Sequence, residues 1–268
     1  MVVDLTYACK MGCTHCMSDC KPDGQHMSIE VFKDTLGFLK KYSVFAWNFS
    51  GGEIFEHPNI LDMLDILEKE WKSVIPVRPL TFITNGRELV RNRKIYERVL
   101  ALKEHSPKKA ILIQVTDDPR YYPNQLTEKE CYWLKKLGAI IDTVPQHCSD
   151  KDRCLYPQGR ALENFTEENW LTLGPKCANC CLIAKQGTKH FADLLKTMLS
   201  IQKFCTPVIG PDGYIRLGES ALCPPVASIY DSDMLIMNKI QNFNCRKCQF
   251  AWDIMKKENP AAYEILEK

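Results

Sequence analysis

Short apolar runs alternate with helical stripes over roughly the first 150 residues of the chain. The runs predict five strands, at 2–6, 44–49, 79–84, 110–115 and 140–144. Between them, apolar residues spaced three and four apart predict helices, as with Ile29, Phe32, Leu36 and Leu39 behind a Ser28 N-cap. This alternation predicts an α/β fold with a parallel sheet, open or barrel-like.

The pattern changes near residue 150, where the strand–helix alternation ends. A helix over about 189–202 and a hairpin over 208–217, which turns at Pro211-Asp212-Gly213, follow it. We therefore predict two domains, one over residues 1–156 and a smaller one over 157–268 that is held together by cysteines.

Composition excludes several classes of function. Lys and Arg total 35 against 33 Asp and Glu, a net charge of +2, which favours neither nucleic-acid nor membrane binding. The apolar runs are too short to cross a bilayer. Because Met1 is not followed by a basic and then apolar leader, we expect a cytoplasmic protein.

Cysteine is the unusual residue, with 14 copies in 268 residues. The cysteines come in tight groups, whereas structural disulfides usually close longer loops in small secreted chains. The groups are Cys9, Cys13 and Cys16; Cys177, Cys180 and Cys181; and Cys245 with Cys248. This spacing indicates reduced thiols that bind a metal or a cluster.

The distinctive motifs each follow a predicted strand. They are Cys9-Lys10-Met11-Gly12-Cys13-Thr14-His15-Cys16, Gly51-Gly52-Glu53, Thr84-Asn85-Gly86 and Thr116-Asp117-Asp118. In β/α barrels this edge of the sheet carries the active site. Three thiolates on one short loop suit a four-iron cluster with one iron open to another ligand.

The first three motifs, in this order and at these strand ends, resemble those of the radical S-adenosylmethionine (SAM) superfamily over about residues 1–120. The resemblance implies a truncated TIM-like barrel of five to six parallel strands. It also implies that a [4Fe–4S] cluster reductively cleaves SAM to a 5′-deoxyadenosyl radical, which abstracts a substrate hydrogen. An external electron donor of the flavodoxin or ferredoxin type would supply the electron.

The resemblance also implies site residues. Cys9, Cys13 and Cys16 would hold the cluster. SAM would contact the loops after the strands, at His15, Ser50, Gly51, Gly52, Glu53, Thr84, Asn85, Gln114 and Thr116. Relatives usually have an aromatic residue where this chain has His15. Zinc remains an alternative for the first loop, because Cys20 or His15 could complete four ligands.

A second resemblance covers roughly residues 157–255. Cys205 and Cys223 flank the hairpin, Cys245 and Cys248 follow, and Gly159-Arg160-Ala161 precedes them. This arrangement resembles the twitch domain, the short form of the SPASM extension, which implies one auxiliary [4Fe–4S] cluster on these four cysteines. No cysteine follows Cys248, so one auxiliary cluster is expected rather than two.

Other candidates stay open. Cys177, Cys180 and Cys181 could replace Cys205 and Cys223 as ligands, form a small zinc site, or be buried thiols. Asp117 and Asp118 could act as a catalytic base or a substrate anchor, or lie in a solvated loop. Cys131 is expected in a helix, within the core.

These expectations lead to three hypotheses for the reaction. The first is a radical SAM oxidoreductase that uses the auxiliary cluster for a net two-electron, dehydrogenase-like oxidation of a small molecule. The alternative is a peptide- or protein-modifying enzyme that forms a crosslink, an epimer or a formylglycine. The third, from another class, is a non-catalytic iron–sulfur or zinc-binding module.

Overall fold

The computed structural model describes most of the chain. The described residues are 1–42, 46–74, 79–107, 110–143, 153–171, 178–201, 203–245 and 249–268. They divide into two compact units. Unit 1 comprises Met1–Thr14, Cys20–Ser149 and Gly210–Gly213, and unit 2 comprises His15–Asp19, Asp150–Ile209 and Tyr214–Lys268.

Unit 1 contains five strands with helices between them. The strands are β1 (Val2–Thr6), β2 (Trp47–Gly51), β3 (Leu80–Thr84), β4 (Ile111–Thr116) and β5 (Ile140–Asp142). The helices are α1 (Ile29–Lys40), α2 (Ile60–Val74), α3 (Arg87–Arg91), α4 (Arg93–Glu104) and α5 (Glu128–Lys136).

All neighbouring strands of unit 1 pair in parallel, in the order β1-β2-β3-β4-β5. Each connection passes through a helical segment, which lets successive strands run in the same direction. The α/β prediction with a parallel sheet is therefore confirmed. Every strand begins and ends within three residues of its predicted position among the described residues.

Local sequence signals explain where the helices begin. The Ser28 side chain accepts a hydrogen bond from the Val31 N–H at 3.2 Å and caps α1, as predicted. Phe32, Leu36 and Leu39 of that helix are buried, and the Phe32 ring centre lies 5.9 Å from that of Phe49 on β2. Thr127 and Glu130 form the capping box that starts α5.

Unit 2 is built from shorter elements. Its helices are α6 (Gly159–Asn164), α7 (Cys180–Lys185), α8 (Phe191–Ser200), α9 (Asp233–Gln241), α10 (Gln249–Glu258) and α11 (Pro260–Glu267). Its strands are β6 (Ala178–Asn179), β7 (Lys203–Cys205), β8 (Pro207–Ile209), β9 (Tyr214–Leu217) and β10 (Pro225–Ser228). Strands β6 and β7 pair in parallel, whereas β8, β9 and β10 form an antiparallel meander.

The predicted hairpin is therefore present as β8 and β9, on either side of the Pro-Asp-Gly turn. Cys205 ends β7 and Cys223 lies between β9 and β10. Among the described residues, no helix is long and apolar enough to cross a membrane.

Candidate functional site

The motifs of unit 1 lie at the carboxyl ends of neighbouring parallel strands. Strand β1 leads into the first cysteine loop, β2 ends at Gly51, β3 ends at Thr84 and β4 ends at Thr116. Because these strands are adjacent and parallel, the loops that follow them meet at one edge of the sheet.

The glycines after β2 pack against the backbone of the β1 end. A Cβ on Gly51 would lie 2.1 Å from the Thr6 carbonyl oxygen, and one on Gly52 would lie 2.1 Å from that of Ala8. The Gly52 N–H donates to the Thr6 carbonyl at 2.7 Å, and the Glu53 N–H donates to the Ala8 carbonyl at 2.8 Å. These glycines therefore let β2 hold the chain just before Cys9.

Glu53 joins the loops after β2 and β3. Its carboxylate is fully buried and accepts the Thr84 hydroxyl at 2.6 Å, the Asn85 N–H at 2.7 Å and the Phe55 N–H at 3.1 Å. Burial outweighs these hydrogen bonds and raises the pKa of Glu53 to about 7. Three predicted cofactor-binding residues, Glu53, Thr84 and Asn85, are thus brought together.

The first cysteine loop is held by its own backbone. The Cys9 N–H donates to the Lys21 carbonyl at 3.0 Å, and the Met11 N–H lies 3.4 Å from the Cys9 sulfur. Cys13 is buried, while Cys9 and Cys16 are half-buried. Within the described residues, no three His, Cys, Asp or Glu side chains are close enough together to form a ready metal site.

The end of this loop, His15–Asp19, belongs to unit 2 and is bound by other segments of that unit. The Cys16 carbonyl accepts the Arg160 N–H at 3.0 Å, and the Met17 carbonyl accepts the Ser220 hydroxyl at 2.7 Å. A Cβ on Gly159 would lie 2.7 Å from the Cys16 and Met17 carbonyl oxygens. The Gly-Arg-Ala segment noted in the sequence therefore supports the residues that follow Cys16.

Two site residues of unit 1 were missed by sequence reasoning. Burial raises the pKa of the Tyr122 phenol above its ordinary value, and the neighbouring Cys13 and Glu53 raise it further. The Arg87 guanidinium lies 5.7 Å from the centre of the Tyr122 ring. The one available signal was position, because Arg87 directly follows Thr-Asn-Gly and Tyr122 lies in the loop after β4.

The two candidate catalytic aspartates are buried and already bonded. Asp117 accepts the Arg87 Nη2 at 2.9 Å and the Leu126 N–H at 3.0 Å. Asp118 accepts the Arg120 Nη2 at 2.6 Å and the Arg120 N–H at 3.0 Å. These contacts stabilise the loop after β4, and neither residue lies in the solvated loop that was the other sequence reading. A catalytic role for them stays a prediction.

The remaining predicted SAM contacts are half-buried: Ser50 on β2, Gln114 and Thr116 on β4, and His15 in unit 2. The Gln114 amide donates to Asp142 on β5 at 3.3 Å. A polar cleft of about 560 Å³, counting its open part, lies beside the unit 1 loops. Its lining includes Lys10, Glu56, Asn85, Arg87 and Arg91.

Unit 2 has a cavity of about 1010 Å³, counting the part open to solvent. Its lining includes four cysteines: Cys181, Cys205, Cys223 and Cys245. Three of these were predicted as auxiliary ligands, while the fourth predicted ligand, Cys248, and Cys177 lie outside the described residues. Burial, with a smaller contribution from Cys245, raises the pKa of the Cys181 thiol to about 12.

Because Gly218 has no side chain, the Cys223 side chain can pack directly against it. A Cβ on Gly218, whose φ is +151°, would lie 2.5 Å from the Cys223 sulfur.

Cys131 is half-buried in α5, within unit 1, and so is less buried than a core residue.

Comparisons with known proteins identify the domain. Residues 3–117 match the model of the radical SAM superfamily. A segment of 84 residues is 37% identical to the antilisterial bacteriocin subtilosin biosynthesis protein AlbA of Bacillus subtilis (strain 168), covering 31% of this chain and 17% of AlbA. A segment of 63 residues is 36% identical to the mycofactocin maturase MftC of Mycobacterium tuberculosis (strain CDC 1551 / Oshkosh), covering 23% of this chain and 16% of MftC.

Solved structures share the fold over nearly the whole chain. The crystal structure of BtrN in complex with AdoMet and 2-DOIA has a TM-score of 0.51 at 13% identity, covering 99% of this chain and 89% of BtrN. The structure of anSMEcpe with bound AdoMet and Cp18Cys peptide has a TM-score of 0.52 at 13% identity, covering 98% of this chain and 83% of anSMEcpe. At this identity the likeness shows the fold alone.

The chain spans about one sixth of the length of the curated relatives it matches. Family model, motif order and fold nevertheless agree with the sequence-based identification. Over residues 3–117 the chain is similar to the radical SAM superfamily.

Proposed function

We propose that this protein is a radical SAM enzyme that modifies a peptide or protein substrate. The observation that carries the proposal is the 35–37% identity of segments of 63 and 84 residues to mycofactocin maturases and to a bacteriocin biosynthesis protein. The reading that the sequence favoured, a small-molecule substrate, has less support than this alternative.

The residues of the first loop fit the cofactor of the family. Three thiols within eight residues are the donor set of a cluster with one open iron, and an N–H group already points at the Cys9 sulfur. We therefore assign Cys9, Cys13 and Cys16 as cluster ligands. When bound, the cluster and SAM supply one-electron chemistry that removes a hydrogen atom from an unactivated carbon.

The surrounding residues position that chemistry. Glu53 fixes the loops after β2 and β3, so the backbone at Gly51, Gly52 and Asn85 is presented to SAM in one arrangement. Buried Arg87 and half-buried Tyr122 lie next to each other beside these loops, with the Arg87 guanidinium 5.7 Å from the centre of the Tyr122 ring. Ser50, Thr84, Gln114, Thr116 and His15 remain the proposed contacts for the rest of SAM.

We further propose that unit 2 binds an auxiliary [4Fe–4S] cluster that accepts an electron from the substrate, giving a net two-electron oxidation. Cys205, Cys223 and Cys245 line one cavity, which supports a shared ligand role for them. A cluster with four thiolates is closed to substrate and is suited to electron transfer.

A small-molecule substrate is the second candidate. It is favoured by the fold shared with BtrN, whose structure contains 2-DOIA and which matches 99% of this chain. Because that likeness shows the fold alone, it does not outweigh the sequence similarity to AlbA and MftC.

The test is SAM cleavage after anaerobic reconstitution with iron and sulfide. We would measure 5′-deoxyadenosine with dithionite as reductant, adding either a pool of synthetic peptides or a pool of amino sugars and cyclitols. We expect cleavage in the wild type, its loss in Cys13→Ala, and its retention in the control Cys131→Ala. Stimulation by peptides supports the proposal, whereas stimulation by the small molecules alone would overturn the peptide assignment.

Absence of SAM cleavage in a wild type that holds the expected iron would reject the enzyme itself. That result would leave the non-catalytic iron–sulfur or zinc module as the remaining reading.

A further inference from the structure

The cavity of unit 2 contains a cysteine that the auxiliary-cluster motif does not account for. Its lining includes Cys205, Cys223 and Cys245 of that motif, together with Cys181 from helix α7. Along the chain, Cys181 lies 24 residues before Cys205. The four thiols share a cavity because of how unit 2 folds.

The start of α7 determines which of two adjacent cysteines faces the cavity. The Asn179 side chain accepts the Leu182 N–H at 2.7 Å and caps the helix, and Asn179 also pairs with Cys205 across β6 and β7. The Cys180 thiol donates to the Cys205 carbonyl at 3.3 Å. Since successive helical residues point about 100° apart, Cys181 is directed elsewhere, and it lines the cavity.

The rest of the cavity resembles the surroundings of a buried cluster. Much of its lining is apolar, including Leu171, Leu217, Phe243 and Leu266. The Trp252 indole N–H donates to the Cys245 carbonyl at 2.7 Å and fixes the segment that carries this thiol. An apolar shell keeps water away and influences the potential of any metal group bound there.

We propose that Cys181 is a ligand of the metal cofactor in this cavity, completing a set of four with Cys205, Cys223 and Cys245. This inference rests on the proposed auxiliary cluster and changes its ligand set. Four thiolates satisfy a [4Fe–4S] cluster, and Cys181, Cys205, Cys223 and Cys245 supply four. Metal binding would draw together and deprotonate thiols that already line one cavity.

The test isolates the second site. In a Cys9/Cys13/Cys16 triple-alanine background, the reconstituted protein should hold about four irons per chain, all in unit 2. Iron, sulfide and zinc contents and the EPR spectrum of the reduced protein would be compared across single variants in this background. These are Cys181→Ala, the adjacent control Cys180→Ala, the positive control Cys205→Ala, and Cys248→Ala.

We expect Cys181→Ala and Cys205→Ala to lose at least half of the iron, while Cys180→Ala and Cys248→Ala keep most of it. Because Cys181 is only 6% exposed, the near-isosteric Cys181→Ser serves as a second variant, for which we expect a changed EPR spectrum. Parent-level iron and an unchanged spectrum in both Cys181 variants would overturn the proposal.

The two proposals fail in different ways. A triple-alanine parent that binds neither iron nor zinc would reject the auxiliary site, and with it the ligand role of Cys181. A parent that binds about four irons, all insensitive to Cys181 substitution, would reject the Cys181 assignment alone.

Discussion

The Thr84 hydroxyl donates a 2.6 Å hydrogen bond to the buried carboxylate of Glu53. This bond joins the Gly-Gly-Glu loop after β2 to the Thr-Asn-Gly loop after β3. The other carboxylate oxygen accepts the Asn85 N–H. Glu53 therefore acts first as a positioning residue, through which two motifs that look separate in the sequence form one structure.

Replacing Glu53 with alanine should destabilise unit 1. The variant leaves the Thr84 hydroxyl and two backbone N–H groups buried without their acceptor, so we expect the free energy of unfolding to fall by about 3 kcal/mol or more. Urea denaturation measures this. Glu97→Ala, at an exposed position, should change stability by less than about 0.5 kcal/mol. A loss of stability as small as this in Glu53→Ala would contradict the inference that Glu53 joins the two loops.

Glu53 and His57 should make opposite contributions to the pH dependence of stability. The pKa of Glu53 is raised to about 7, so its contribution is present below its unfolded pKa and is lost as pH rises towards 7. Burial lowers the pKa of His57 to about 4, so its contribution is present above its unfolded pKa and is lost as pH falls.

Urea midpoints of wild type, Glu53→Gln and His57→Gln between pH 5 and 8 would separate the two effects. Relative to Glu53→Gln, the wild type should lose about 2 kcal/mol of stability as pH rises. Relative to His57→Gln, it should gain about 2 kcal/mol over the same change. Parallel pH profiles for all three proteins would show that neither group titrates as inferred.

Two glycine-to-alanine substitutions should have opposite effects. Gly52→Ala places a Cβ 2.1 Å from the Ala8 carbonyl and should displace the chain before Cys9, so SAM cleavage should fall at least tenfold. Gly37 lies within α1 with nothing near its missing Cβ, and Gly37→Ala should stabilise by about 0.5–1 kcal/mol with activity unchanged. Thermal melts and 5′-deoxyadenosine assays check both, and an active Gly52→Ala would refute the packing argument.

The ion pair between Arg87 and Asp117 should be structural. Both side chains are buried, so Arg87→Met should cost about 3–5 kcal/mol by leaving Asp117 without its charge partner. The double variant Arg87→Met/Asp117→Leu should recover much of that loss. If Asp117→Asn instead abolished turnover while preserving stability, Asp117 would be catalytic.

The sequence predicted the order of elements well because the signals are local. Periodic apolar residues and caps such as Ser28 and Thr127 act within one or two turns of chain. The four motif positions could also be predicted, because each follows a strand. The sequence pattern could not predict which distant segments of the chain pack against each other.

Gly51 and Gly52 illustrate that limit. Their predicted contact with SAM stays a prediction, and the structure adds that their missing side chains make room for the backbone of Thr6 and Ala8. Likewise, the sequence named Cys180 and Cys181 together as possible ligands, and only the folding of α7 shows that Cys181 lines the cavity with Cys205, Cys223 and Cys245. Arg87 and Tyr122 belong to no motif, so their proximity could be found only in three dimensions.

Arg160 and Ser220 donate hydrogen bonds to the Cys16 and Met17 carbonyls. These bonds indicate how much of the chain is needed to hold this part of the backbone. The family match ends at residue 117, yet the backbone after the last cysteine of the first loop is held by residues more than 140 positions along the chain. A fragment cut at the family boundary would keep the cysteine loop and the Gly-Gly-Glu and Thr-Asn-Gly motifs, but it would lose these hydrogen bonds. The segment that is similar to the family is thus shorter than the stretch of chain that is needed to hold the backbone at Cys16 and Met17.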